Sequence, residues 1–389
     1  MSVTAAQGFV AGGVSAGIKT SPDLDLALVA STDGRAVPTA GVFTSNLMTA
    51  APVQVSRAHL ASAGGRTAAV ILNSGNANAA TGEPGRAVAL ETCATVAAEL
   101  GCATDEVLVC STGLIGIALP VEPILAALPA LVAGLDGDAD GGAAAAEALR
   151  TTDTRRKEAV SIAGEATVGG MAKGAAMLAP SMATMLAVLT TDAEADAASL
   201  QRVLRAGVGV SFNALLTDGC TSTNDTVLIL ASGEAGAVDE ELLAAAVAEV
   251  CTALAEQMAD DAEGATKVVR LTVTGAADDA EARTGADRIA RSALCKCSWY
   301  GRDPYWGRLA SELGSAGIAF EQERISVAYG GLTVAAEGVT IGHDVARVAE
   351  HMDGRHLDIT CDLGLGDGTA TVLTNDLTHA YVDENSGTS

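Results

Sequence analysis

MAKGAAMLAPSMATMLAVLTTDA, residues 171 to 193, divides into two unlike halves. Its second half, Thr184-Met-Leu-Ala-Val-Leu-Thr190, is apolar and β-prone at its centre and reads as a core strand. The first half reads as neither helix nor strand. Pro180 breaks a helix and biases Ala179 toward extended backbone. A proline-bearing loop therefore delivers Thr184 to the first position of a buried strand. The simplest account of that threonine is a β-branched residue opening a strand; the other is chemical.

Composition bounds the answer. A chain of 389 residues predicts two domains, or one large domain with an extension. At 49% apolar and 18% charged residues it can bury a sizeable core. Only 3% is aromatic, so Ala, Val, Leu and Ile must build that core. A formal net charge of −25 argues against nucleic-acid or anionic-membrane partners. The opening MSVTAAQGFVAGG lacks the basic and long apolar segments of a signal peptide, and no run of about 18 unbroken apolar residues occurs. The cytoplasm is the expected location. Eight scattered cysteines then read as buried thiols rather than disulfides. Five histidines form no metal-ligand spacing, so no metal is expected.

Along the chain, Ala68–Asn73 and Glu106–Ser111 read as short apolar strands flanking a helix at Gly85–Leu100. Val121–Leu135 and Ala143–Thr151 read as helices around a polar glycine-rich loop, Asp136–Gly142. Helical spacing recurs at Ala198–Val208, Glu240–Met258, Asp279–Leu294 and Trp306–Leu313. Thr226–Ala231 and Lys267–Thr274 read as strands, and RISVAYG, LDITCDLG and TATVLT supply at least three more after Arg324. Strands come in runs rather than in βα alternation, which favours an α+β layered fold over a doubly wound sheet. Gly12–Gly17 is not a dinucleotide fingerprint. The GxGxG within Leu363–Ala370 joins two strands and reads as a tight turn, since phosphate binding needs a helix N-terminus. No nucleotide cofactor follows.

A threonine hydroxyl becomes a nucleophile only beside a base, and one compact base is the residue's own freed α-amino group. With an unperturbed pKa of roughly 8, that amine can take the hydroxyl proton near neutral pH. Freeing it requires cutting Ala183–Thr184, by attack of the hydroxyl on the preceding carbonyl and hydrolysis of the resulting ester. A small residue before the threonine, a loop that can be strained and a strand behind it suit that scheme. Ala183, Pro180-Ser181 and Met185–Leu189 supply all three.

KGAAMLAPSMATML also resembles the KGxGMxxPxMATML signature of the glutamate N-acetyltransferase (ornithine acetyltransferase) family of arginine biosynthesis. Further stretches resemble family motifs in the family's order: GVFTSNLMTAAPV (41–53), VILNSGNANAATG (70–82), CSTGLIG (110–116), TTDT (151–154), DGCTSTNDT (218–226), DAEGATK (261–267), DPYWGR (303–308) and AYVDENS (380–386). The resemblance implies a layered αββα sandwich with a smaller C-terminal α/β lobe. It implies self-cleavage into residues 1–183 and 184–389, entwined and assembled as α2β2. The implied reaction moves an acetyl group from N2-acetyl-L-ornithine to L-glutamate through an acetyl ester on Thr184. Acetyl-CoA is a further candidate donor, and no bound cofactor is implied.

The resemblance also assigns residues. Thr112 and Gly113 correspond to the oxyanion hole, which otherwise reads as a turn closing a strand. Lys173 corresponds to a partner of the substrate carboxylate, in place of a solvated surface lysine. Glu263 corresponds to a partner for a substrate ammonium, in place of a capping acid. Thr151 or Thr152, Asn385 and the last hydroxyl residue complete the substrate contacts. Here the tail ends Glu384-Asn385-Ser386-Gly387-Thr388-Ser389, one residue short of the family's ENSxYxS pattern and lacking its tyrosine, so Ser389 or Thr388 fills that role only if the tail reaches. Tyr305 replaces a usual asparagine, and Lys296 stands between two cysteines where the family reads VKTA. Both changes neighbour the 306–313 helix and bear on its packing or on a pocket wall. A self-cleaving aminopeptidase or amidase, an acyltransferase of secondary metabolism, and an uncleaved binding protein are the competing readings. Acetyl transfer to glutamate separates the enzymes from one another, and denaturing electrophoresis separates a cleaved from an uncleaved chain.

Overall fold

The computed structural model describes residues 2–177 and 185–387. Its strands, in chain order, are β1 (Phe9–Val14), β2 (Leu26–Ser31), β3 (Val37–Phe43), β4 (Arg66–Thr67), β5 (Ala69–Asn76), β6 (Val107–Leu114), β7 (Lys157–Ala163), β8 (Ala166–Lys173), β9 (Leu186–Glu194), β10 (Leu215–Leu216), β11 (Thr226–Ala237), β12 (Val268–Ala276), β13 (Ser326–Tyr329), β14 (Leu332–Ala336), β15 (Val339–Thr340), β16 (His356–Asp362) and β17 (Gly368–Asn375). The helices are α1 (Ala51–Ser62), α2 (Gly82–Leu100), α3 (Val121–Ala133), α4 (Ala139–Ala148), α5 (Ala197–Val210), α6 (Glu240–Asp260), α7 (Asp279–Arg291), α8 (Ala293–Tyr300), α9 (Gly307–Gly314), α10 (Val345–Asp353) and α11 (His379–Asn385). They divide between two compact units. The first holds Met1–Asn213 and Cys220–Met258; the second holds Ala214–Gly219 and Ala259–Ser389.

Two sheets face each other in the first unit, ordered β1-β2-β5-β6 and β4-β3-β11-β9-β8-β7. Strands β2, β5 and β9 are buried on both faces, which is why they read as continuous apolar runs rather than as alternation. Between the sheets, Ala27, Val29, Val70, Leu72 and Leu108 meet Met171, Leu186, Val188, Leu228 and Leu230. On the opposite face of the first sheet, Leu26, Leu28, Ile71 and Val109 pack under α2 and α3 through Cys93, Val96, Ile124 and Leu128. Helices α5 and α6 cover the outer face of the second sheet. A Cβ at Gly170 of β8 would come within 2.8 Å of Val250 on α6. The layering is thus helix, sheet, sheet, helix, and the α+β reading with its αββα sandwich holds.

In the second unit seven strands run β10-β17-β12-β16-β13-β14-β15. Ala282, Ala286 and Ile289 recur at helical spacing on α7 and join Val269, Leu271 and Val273 of β12 in one core. Trp299, Leu309, Leu313, Val348 and Met352 complete it from α8, α9 and α10.

Several expectations need correction. Asp136–Gly142 is not wholly loop, because α4 begins at Ala139 and ends at Ala148. Gly141 and Gly142 are packing glycines: a Cβ at Gly141 would sit 2.4 Å from the Asp136 carbonyl and 2.6 Å from that of Ala11. The helix expected over Asp279–Leu294 breaks at Ser292, whose hydroxyl accepts the Cys295 N–H and starts α8. Gly12 and Gly13 lie inside β1. Cys220 and Cys297 are exposed and Cys102 half-buried; the other five cysteines are buried, and none of the eight forms a disulfide. Tyr305 is exposed, with the Arg308 guanidinium 5.9 Å from its ring centre. The 363–370 segment does form a turn between β16 and β17, with Gly364 at φ +64°. Helix α6 is long and apolar enough to cross a membrane by length and composition, but half of its apolar window is buried.

Candidate active site

The site grows from the parallel pair β5–β6. Asn73 pairs with Ser111, Ser74 with Thr112 and Gly75 with Gly113, before the register slips at Asn76. Gly113 adopts φ +131°, and a Cβ there would lie 2.3 Å from the Gly75 carbonyl carbon. Only glycine lets the two backbones approach so closely at that angle. Side-chain amides lock the region. Ser111 Oγ donates to Asn73 Oδ1 at 2.6 Å, and Asn73 Nδ2 donates to the Asn76 carbonyl at 2.9 Å. Asn224 Nδ2 donates to the carbonyls of Ala77 (2.6 Å) and Ser111 (2.9 Å), tying this loop to the segment before β11.

Lys173 ends β8, and its Nζ donates to Thr112 Oγ1 at 3.2 Å. Both side chains are buried, so Lys173 is not the solvated surface lysine of its plainer reading. Because Thr112 Oγ1 accepts from an ammonium, its own hydrogen is directed elsewhere, where it can meet a developing negative charge. Ala77, Thr112, Gly113, Ile115, Met177, Ser222, Thr223 and Asn224 line a cleft at this point. The TTD stretch joins through Asp153, a buried carboxylate. Its Oδ1 takes Lys157 Nζ at 2.6 Å and Gly174 N at 2.8 Å, and its Oδ2 takes Thr151 N at 3.1 Å. Burial alone would raise this carboxyl; the Lys173 and Lys157 ammoniums outweigh it and hold it well below the usual carboxylate range. Of the two candidate threonines, Thr151 is half-buried against Asp153 and Thr152 is exposed.

Asp225 closes the floor. Its Oδ1 accepts the N–H of Met185 at 2.9 Å, and the Met185 carbonyl in turn accepts from Thr226 N at 3.2 Å. Burial pushes the Asp225 carboxyl well above its ordinary value, opposed by the Met185 N–H, Ser222 and Lys173. Ala183 and Thr184 precede Met185 and lie outside the described residues, as do Thr388 and Ser389.

In the second unit the two remaining candidates touch. Asn385 Nδ2 on α11 donates to Glu263 Oε2 at 2.8 Å and to the Tyr381 carbonyl at 2.9 Å. The helix is anchored at its start, where Thr378 Oγ1 donates to the Gly264 carbonyl at 2.7 Å and accepts the Tyr381 N–H at 3.1 Å. Gly264, at φ +62°, leaves room for that helix, since a Cβ there would be 2.3 Å from Tyr381 N. Glu263 is therefore no mere surface acid. Asp153, Asp225, Asn73, Asn76 and Asn224 gained no role from sequence, although each stands in a quoted motif. The asparagines clustered in NSGNAN were the available signal, because amides so close to an apolar strand need partners.

A buried hydroxyl and a glycine backbone lining one cleft of an αββα sandwich, with a buried ammonium on that hydroxyl, define a site suited to acyl-group chemistry. The comparisons with known proteins agree with that class. The family described as ArgJ family matches residues 10–388, and the chain belongs to it. The arginine biosynthesis bifunctional protein ArgJ of Streptomyces coelicolor is 48% identical over 387 residues, 99% of each chain. That of Mycolicibacterium paratuberculosis is 49% identical over 391 residues, covering 99% of this chain and 95% of its own. A crystal structure described as arginine biosynthesis bifunctional protein argJ from Bacillus halodurans is 35% identical, with a TM-score of 0.49 over 51% of this chain and 96% of that one.

Proposed function

We propose that this chain is the glutamate N-acetyltransferase of arginine biosynthesis, carrying the acetyl group from N2-acetyl-L-ornithine to L-glutamate on Thr184. Membership of the ArgJ family makes it an acyltransferase. The observation that carries the rest is the 3.2 Å contact between Lys173 Nζ and Thr112 Oγ1, buried beside Gly113. Cleavage of Ala183–Thr184 frees the amine that serves as base. Thr184 Oγ attacks the acetyl carbonyl of acetylornithine while its hydroxyl proton passes to that amine. Thr112 O–H and Gly113 N–H hold the oxyanion. The C–N bond breaks, and the ornithine nitrogen takes the proton from the Thr184 amine. The α-amino nitrogen of glutamate then attacks the acetyl ester, loses a proton to the same amine, and expels Thr184 Oγ, which recovers it. Lys173 receives the substrate α-carboxylate, with Thr151 beside it. By the family resemblance, Glu263 and Asn385 are further substrate contacts. No bound cofactor enters this scheme.

Because one threonine accepts and then gives the acetyl group, the two amino acids never need to be bound together. Initial rates at several glutamate concentrations should give parallel double-reciprocal lines against acetylornithine. Intersecting lines would mean direct transfer and would remove the covalent role of Thr184. Replacing acetylornithine by acetyl-CoA in the same assay tests the second donor. The family resemblance supports an α2β2 assembly in the cytoplasm, which a native mass measurement of the assembly and fractionation of cells would check.

A further inference from the structure

We propose that Asp153 is a positioning residue for substrate binding, one carboxylate presetting both the 151–154 loop and the end of β8 to receive an α-amino-acid carboxylate. This rests on the function read above for Lys173 and Thr151. Asp153 is 3% exposed, and its two oxygens work on different elements. Oδ1 accepts Gly174 N at 2.8 Å, so the backbone just after Lys173 is fixed where the lysine side chain leaves the strand. The same oxygen takes Lys157 Nζ at 2.6 Å, from the first residue of β7, the strand paired with β8. Oδ2 accepts Thr151 N at 3.1 Å and stands 3.4 Å from its hydroxyl, which turns Thr151 inward while Thr152 faces solvent. The Asp153 carbonyl is held from the other side by Arg150 Nε and Nη2, at 3.1 and 3.0 Å. Lys173 itself reaches Thr112 Oγ1. A carboxylate spanning a loop and a strand end in this way sets geometry for a charged ligand without touching it. It also assigns the substrate contact to Thr151 rather than Thr152.

The test is a double-mutant cycle in steady-state kinetics, with glutamate binding followed by calorimetry on the same proteins. Asp153→Asn should raise KM for both acetylornithine and glutamate about tenfold or more, with kcat changed by no more than about threefold. In a Lys173→Met background the same substitution should change KM by less than about twofold. Equal effects in both backgrounds, or a fall in kcat at unchanged KM, would overturn the proposal and leave Asp153 a folding residue. Should Asp153→Asn fail to fold, Asp153→Asn/Lys157→Met removes one stranded ammonium and carries the same comparison. A wild-type protein that binds glutamate without turning over would sink the acetyl-transfer reading alone, since the Asp153 comparison would still be read in Kd.

Discussion

At the residue scale the decisive atoms are the Thr112 hydroxyl and the two buried carboxyls around it. Removing the hydroxyl with Thr112→Ala should cut kcat by roughly 10²-fold while KM changes little, as loss of one preorganised oxyanion donor does. A change confined to KM would make Thr112 a binding group. Asp225 makes a prediction in pH. Its folded pKa is raised by burial, so between the unfolded value of about 4 and that raised value the folded chain binds more protons than the unfolded one. Stability from this group is therefore lost as pH rises through the window. Asp225→Asn keeps an acceptor for Met185 N–H without the titration. Made on a Thr184→Ala background to hold the chain uncut, it should gain stability relative to its parent as the pH rises above about 4, read in urea unfolding. Parallel pH curves would contradict this. Thr112, Gly113, Lys173 and Glu263 became candidates only through the resemblance, because STG, a lone lysine and a lone acid each have commoner structural uses. Asp153 and Asp225 were not legible at all: nothing in TTDT or STNDT tells a buried carboxyl from a solvated one.

At the scale of elements, what could be read was what apolar runs and helical spacing encode. Strands β5, β6, β9 and β11 and helices α2, α5 and α6 stand close to where their sequences place them. The early strands β1 and β3 were missed because glycine, threonine and proline interrupt them, β2 was missed although LALVAS is an apolar run, and glycine inside α4 masqueraded as loop. In both cases the glycine answers a close backbone approach that exists only in the folded chain; a Cβ at Gly13 of β1 would sit 2.3 Å from the Ala144 carbonyl on α4. Lys296 shows the opposite surprise, a charge where the helix should be apolar. It is buried on α8, and its Nζ donates to the Thr217 carbonyl (2.6 Å), Thr374 Oγ1 (2.7 Å) and the Asn375 carbonyl (2.7 Å). Burial pulls its pKa down to about 7, although three acceptors use all three hydrogens of the ammonium. Lys296→Met should leave those acceptors without donors and cost roughly 3 kcal/mol or more, read as a lower urea midpoint. A midpoint within error of wild type would mean water replaces the ammonium. The cysteines either side of Lys296 differ in burial, and the structure supplies no reason for their pairing there.

For the whole molecule, length left two domains or one large domain with an extension open, composition pointed to a core with few aromatics, and runs of strands favoured an α+β layered fold, while the αββα sandwich came from the resemblance. The order of strands within each sheet could not be read, because β3 pairs with β11 and β5 with β6 through contacts distant in sequence. Nor does the −25 charge say anything about mechanism. What joins the scales is a single claim, that the chain cuts itself before Thr184 and then carries the acetyl group there. Intact-mass analysis of purified protein, before and after incubation with acetylornithine alone, tests it most directly. The account predicts two polypeptides, Met1–Ala183 and Thr184–Ser389, with one acetyl group gained on the second and none on the first, and a Thr184→Ala protein that stays full length and unacetylated. A full-length wild-type chain, cleaved Thr184→Ala protein, or an acetyl group on any residue other than Thr184 would contradict it.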